Sequence, residues 1–216
     1  MATQAPVPGP LPVGVLVSGT GTNLRALLET VHGHEAEVVA VASSADGVGA
    51  LDHARQAGVD HRVFSLEAYP DRAQRDLALA RYLLDRGVRL VVLAGYMQLL
   101  TPGFLSHFPR AVINVHPALL PAFPGLSAIE QAVAHGVRVF GVTVHFVDEG
   151  VDTGPIILQR AIELADAVDP AVVHERLRPL EHALLPEAVR LFARGALHPA
   201  ADNPRRIVID NPATGD

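Results

Sequence analysis

"VRLVVLAG", residues 88–95, is the stretch that decides the fold. It is apolar almost without a break and lacks the alternation expected of a strand with one wet face. Such a run reads as a central parallel strand covered on both sides. Just before it, residues 71–86 carry Ala73, Leu77, Ala80 and Leu84 at helical spacing, with Arg and Asp between them, and Gly87 ends the pattern. Just after it, a short helix near 101–107 leads into a strand at 110–115. Further strand-like runs lie at 13–18, 36–43, 61–66, 137–147 and 155–164. Further helical runs lie at 23–31, 48–57, 127–135 and 170–193. This alternation predicts an α/β protein with a Rossmann-like, open, mostly parallel doubly wound sheet in a single domain. The expected organisation is a flexible N-terminal tail over 1–12, the domain over 13–198 and a polar C-terminal extension over 199–216.

Composition narrows the function. With 216 residues, 49% of them hydrophobic, the chain has ample material for one large core. A net charge of -6 without any Lys/Arg run leaves no basic footprint for nucleic acid. The absence of cysteine removes disulfides, thiolate catalysis, Fe–S clusters and Cys-type zinc sites. Residues 1–12 lack the charged and apolar regions of a signal peptide, and no apolar run reaches the eighteen or so residues that a membrane span needs. The expectation is a cytoplasmic protein, monomer or homodimer, that acts on small molecules and engages neither nucleic acid nor membrane.

In a doubly wound sheet, ligands bind beyond the carboxyl ends of the strands. At one such end "VINVHPALLPAFPG" (112–125) places Asn114 and His116 on one strand face, two residues apart. Polar side chains there cost stability unless something occupies them. At another, "SGTGTNL" (18–24) runs straight into a helix whose free N–H groups suit a phosphate. No Lys follows, so it is not a Walker A loop, and Leu24 stands where a dinucleotide fingerprint needs its third glycine. A phosphate cradle and a plain tight turn with an N-cap are both compatible with these residues. The third stretch, "GVTVHFVDEGVDTGPII" (141–157), puts Thr143 and His145 on one face ahead of an acidic loop with Asp148, Glu149 and Asp152. Metal chelation by His145 and these carboxylates lacks a recognised ligand spacing, so a solvated turn is preferred for Asp148 and Glu149. Nothing resembles G-x-S-x-G, H-E-x-x-H or a kinase signature.

Taken in order, "SGTGTNL", "VVLAGYMQLLTPGFL", "INVHPALLPAFPG", "GVTVHFVDEGVDTGPIILQ" and "RLRPLEHALLPEAV" resemble the folate-dependent glycinamide ribonucleotide formyltransferases of purine synthesis, members of the formyltransferase family. The likeness covers nearly everything from Val13 to His198. It implies transfer of a formyl group from 10-formyltetrahydrofolate to the amine of glycinamide ribonucleotide, with no metal. It implies Asn114, His116 and Asp152 as the catalytic trio, with Thr143 and His145 in support. Gly19, Thr20, Gly21, Thr22 and Asn23 would cradle the ribonucleotide phosphate with Arg178 near it, and Glu181 would bind the ribose. The folate would lie along Tyr96, Met97, Gln98, Leu99 and Leu100, with Asn114, Val147, Asp148 and Asp152, and Arg72 would contact its formyl end. Two residues depart from the pattern: Gln98 stands where a basic residue is usual, and Ser127 replaces a histidine.

The implied chemistry is physically consistent. The substrate amine is already a nucleophile, so no covalent enzyme intermediate is needed. Its attack puts negative charge on the formyl oxygen, which the Asn114 amide and a protonated His116 can stabilise. Asp152 beside His116 would favour the imidazolium and relay the proton from the attacking nitrogen to the departing one. Formyltetrahydrofolate deformylase shares the trio but carries a regulatory domain, for which the short tail leaves no room. Methionyl-tRNA formyltransferase would need a further C-terminal domain. A non-catalytic nucleotide-binding module would explain the glycine loop alone.

Overall fold

The central sheet takes its strands from Leu11–Val17 (β1), Ala36–Ser43 (β2), His61–Val63 (β3), Leu90–Leu93 (β4), Val112–His116 (β5), Val139–Phe146 (β6) and Ile156–Glu163 (β7). The computed structural model describes residues 9–210 except Ala167. The strands lie in the order β3-β2-β1-β4-β5-β6-β7. The pairs from β3 through β5 are parallel, and β6 and β7 complete the sheet antiparallel. β4, from the opening stretch, sits mid-sheet with all four side chains buried. The doubly wound, mostly parallel expectation therefore holds.

Among the described residues six α-helices flank the sheet: Thr22–Thr30 (α1), Gly49–Gln56 (α2), Arg72–Leu84 (α3), Pro102–Leu105 (α4), Ala128–Ala134 (α5) and Pro170–Ala193 (α6). Side chains alternate across each strand, which divides the core in two. Val13, Val15, Leu90, Val92, Ile113 and Val115 pack with α1, α2, α5 and α6 on one face. Leu16, Ala40, Val91, Leu93 and Val112 pack with α3 and α4 on the other. Since β1 is flanked by β2 and β4, its connections leave in opposite directions, and a crevice opens at the carboxyl ends of β1 and β4.

Three local expectations change. β1 begins at Leu11, which pairs with Ala36, so Leu11 and Pro12 belong to the sheet, while residues 1–8 of the expected tail lie outside the described residues. Part of the extension pairs as Leu197–Pro199 (β8) with Ile207–Ile209 (β9), and residues 211–216 lie outside the described residues. The face of α3 is also turned. Of the four apolar positions at helical spacing only Ala80 is buried, whereas Leu77 and Leu84 are 41% and 43% exposed. The buried face carries Arg75, Asp76, Leu79, Ala80, Tyr82 and Leu83. Arg75 and Asp76 can face inward because each neutralises the other, with guanidinium and carboxylate 2.6 Å apart.

Candidate active site

Two cavities meet over the carboxyl ends of β4 and β5. One, of about 360 Å³, lies on the α3 and α4 side and is walled by residues 95–99, Asn114, His116 and the loop after β6. The other, of about 600 Å³, lies on the α1, α5 and α6 side and is walled by residues 19–23, His174 and Glu181. They share Gly95, Met97, Val115, Pro117, Leu126, Ser127 and Ala128. The split follows from strand alternation: Asn114 and His116 point with Val112 to one face, and Val115 points to the other.

Asp152 gathers the first cavity. Its backbone is left-handed, with φ 52°, and a Cβ at nearby Gly154 would run into the Phe146 carbonyl oxygen. That tight turn folds the loop back over β5. Asp152 Oδ2 accepts from the Gly125 amide at 2.8 Å and lies 3.3 Å from His116 Nδ1. Its Oδ1 accepts from Asn114 Nδ2 at 3.3 Å and lies 3.5 Å from His145 Nε2. Burial of this carboxyl raises its pKa. Contacts with His145 and the Gly125 amide, and the charges of both histidines, outweigh that and hold it at about 2. It is a firm carboxylate at neutral pH.

The histidines are oriented by backbone. His116 Nε2 reaches the Phe123 carbonyl at 2.8 Å, which turns Nδ1 toward Asp152 Oδ2, 3.3 Å away in ion-pair range. Phe123 itself is left-handed, φ 52°. His145 Nδ1 reaches the Phe146 carbonyl at 2.8 Å, which turns Nε2 toward Asn114 Nδ2 at 3.2 Å and Asp152 Oδ1 at 3.5 Å. Both Asn114 contacts exceed the usual N–H···O distance of about 2.9–3.0 Å, so the amide can turn toward an oxygen in the cavity. Thr143 is fully buried away from the cavity. Its hydroxyl donates to the Ala118 carbonyl at 2.7 Å and accepts from the Leu120 amide and Gln159, which pins the proline loop.

The second cavity opens onto the free start of α1. Gly21 adopts φ 78° and a Cβ there would stand 2.5 Å from the Ala50 Cα, so only glycine fits this turn. No side chain caps α1, and its first N–H groups are available to a ligand. Asn23 Nδ2 donates to Glu181 Oε2 at 2.8 Å, which ties α1 to α6 beside the cavity, and the buried Asn23 Oδ1 has no partner.

The expected residues do not all converge. Tyr96, Met97, Gln98, Leu99, Val147 and Asp148 line the first cavity, and Gly19, Thr20, Gly21, Thr22, Asn23 and Glu181 the second. Leu100 instead packs against the core beside α3 and α4, and Arg72 is exposed at the start of α3. Arg178 pairs with Glu175 at 2.8 Å and is not in the cavity wall, which on this helix is formed by His174 and Glu181. Sequence reasoning assigned nothing to His174, whose only signal is its place one helical turn before Arg178. It also passed over Arg75 and Asp76, because a search for apolar spacing skips a charged pair. Among the described residues, no group of three or more His, Cys, Asp or Glu is placed to hold a metal ion.

Known proteins are similar to this chain. The family model described as Formyl transferase matches residues 12–189. A phosphoribosylglycinamide formyltransferase of Mycobacterium tuberculosis is 41% identical over 191 residues, 88% of each chain. The trifunctional purine biosynthetic protein adenosine-3 of Drosophila pseudoobscura pseudoobscura is 41% identical over 189 residues, but this chain spans only 14% of that protein's length. Among solved structures, glycinamide ribonucleotide transformylase 1 from Symbiobacterium toebii superimposes with a TM-score of 0.88 at 44% identity, covering 94% of this chain and 95% of that one.

Proposed function

This chain belongs to the formyl transferase family, and from that premise we propose that it moves the formyl group of 10-formyltetrahydrofolate to the amine of glycinamide ribonucleotide. The products are formylglycinamide ribonucleotide and tetrahydrofolate, in a cytoplasmic step of purine synthesis. The folate lies in the cavity walled by Tyr96, Met97, Gln98, Leu99 and the 147–152 loop, with its formyl carbon beside Asn114. The ribonucleotide sets its phosphate on the amides at 19–23 and its ribose on Glu181, so its amine reaches the formyl group across Val115 and Pro117. Arg72, Leu100 and Arg178 stand outside these walls and carry less of the binding than the resemblance implies.

The amine attacks the formyl carbon directly. The Asn114 amide turns from Asp152 toward the oxyanion, and the His116 imidazolium, with Asp152 at its Nδ1, supplies positive charge beside it. Asp152 takes the proton of the attacking nitrogen, directly or through one water, and returns it to the departing folate nitrogen. The observation that supports this reading is one carboxylate in contact with Asn114, His116 and His145, in the wall of a cavity that meets a second one at the free start of α1.

The test is to incubate the chain with both substrates and follow every formyl group. Formylglycinamide ribonucleotide and tetrahydrofolate should appear in equal amounts and only when the ribonucleotide is present. Release of free formate at the same rate without ribonucleotide would replace this reading by a deformylase.

A further inference from the structure

The segment that walls the first cavity is not held by the sheet. The ladder of β4 ends at Leu93, and among the described residues no backbone–backbone hydrogen bond is made by residues 95–100. Side chains anchor it instead. Ser18 Oγ accepts from the Met97 amide at 2.9 Å at one end. At the other end stands the fully buried pair Arg75 and Asp76 on α3. Arg75 Nη2 donates to the Leu99 carbonyl at 3.3 Å, and Nη1 reaches Gln98 Oε1 at 3.5 Å. Asp76 receives Arg75 through Oδ1 at 2.6 and 2.9 Å, which frees Oδ2 to accept from the Thr101 amide at 2.7 Å.

A buried ion pair is weak evidence for stability, because apolar residues of similar volume are often as good or better. What apolar residues cannot do is bind a carbonyl and an amide two residues apart. We propose that Arg75 and Asp76 are positioning residues for the formyl donor. They hold the 98–101 turn from beneath, so that its remaining peptide groups and the side chains of Gln98 and Leu99 face the cavity in one arrangement. This rests on the reading of that cavity as the donor site. The ribonucleotide cavity is built mainly on α1, α5 and α6; of this segment it takes only Gly95 and Met97, ahead of the 98–101 turn that the pair holds.

The decisive variant is Arg75→Met with Asp76→Leu, which keeps volume and removes both charges together. It should melt close to the parent, raise the donor KM by roughly tenfold or more, as loss of a charge-assisted hydrogen bond does, and leave the ribonucleotide KM within about twofold. Amide exchange at residues 97–101 should quicken in the same variant. Arg75→Lys keeps the charge but cannot bridge Asp76 and the Leu99 carbonyl together, so its donor KM should rise by an intermediate factor. A folded double variant with an unchanged donor KM, or one in which both KM values rise alike, overturns the proposal. If the double variant does not fold, Arg75→Lys decides: a donor KM equal to the parent's overturns it. Formyl transfer by the unaltered chain is measured alongside. Its absence would fail the reading of the site itself, a result distinct from failure of the brace.

Discussion

A left-handed conformation costs a residue other than glycine on the order of 1–3 kcal/mol, and Asp152 holds one at φ 52°. The turn is worth that cost only if the carboxylate it delivers has work to do. Asp152→Asn keeps the volume and most hydrogen bonds but removes the negative charge and the proton carrier. Its kcat should fall about 10²–10⁴-fold, roughly 3–5 kcal/mol in the barrier, with both KM values little changed. Asp148→Asn is the control. Asp148 Oδ1 accepts from the Gly150 amide and the Thr153 hydroxyl, and an amide oxygen can keep both, so this variant should lose far less. Equal losses in the two would remove Asp152 as the proton carrier. The same carboxylate sets an acid limit on stability. With its pKa held at about 2 against an ordinary 3.8, its contribution is complete above the ordinary value and disappears as pH falls toward 2. The Tm gap between parent and Asp152→Asn should therefore close over that interval, and a gap independent of pH would contradict the assigned contacts. For His145, Nδ1 is engaged by the Phe146 carbonyl and Nε2 lies against Asn114, and among the described residues no group of three or more His, Cys, Asp or Glu is placed to hold a metal ion. Exhaustive chelation should leave formyl transfer intact, and loss of activity restored by zinc would reverse that assignment.

At the scale of elements, α6 decides which side chains meet the phosphate in the proposed site. His174 and Glu181 face the second cavity, two turns apart, while Arg178 between them turns to Glu175. His174→Ala should therefore raise the ribonucleotide KM more than Arg178→Ala. The full loss of a charge-assisted bond is about 1.5–3 kcal/mol, or roughly ten- to a hundredfold. A larger effect from Arg178→Ala would mean that the guanidinium leaves Glu175 when substrate binds. The sequence could place α6 to the residue, because Pro170 and the long apolar period mark it, but could not say which charged side chains look inward. α3 makes the same point more sharply. Its length was legible from 71–86, yet its face was not, since Leu77 and Leu84 sit outside and Arg75 and Asp76 inside. Apolar periodicity reports burial only where no ion pair satisfies itself within the core.

The whole molecule opens two cavities on opposite faces of one sheet and lets them meet at the ends of β4 and β5. The alternation of strands and helices made the doubly wound sheet and its ligand-binding edge legible from the chain. The reversed direction of β6 was not, because a strand's direction is fixed by its partners and not by its own residues. Nor was the junction, since alternation sets Asn114 and Val115 on opposite faces but does not say which loops close over each. This layout predicts that damage on one face spares binding on the other. Gly21→Ala is the test, because a methyl at φ 78° would strike the Ala50 backbone and push the start of α1 away from α2. A displacement of about 1 Å can cost on the order of a hundredfold in a positioned reaction. The ribonucleotide KM should rise steeply, while the donor KM, set by residues 95–99 across the sheet, stays near the parent's. Two-substrate kinetics on a variant shown to be folded by its melting curve will decide this. If the donor KM rises in step, the two cavities act as one, and the division of the site by the faces of the sheet is wrong.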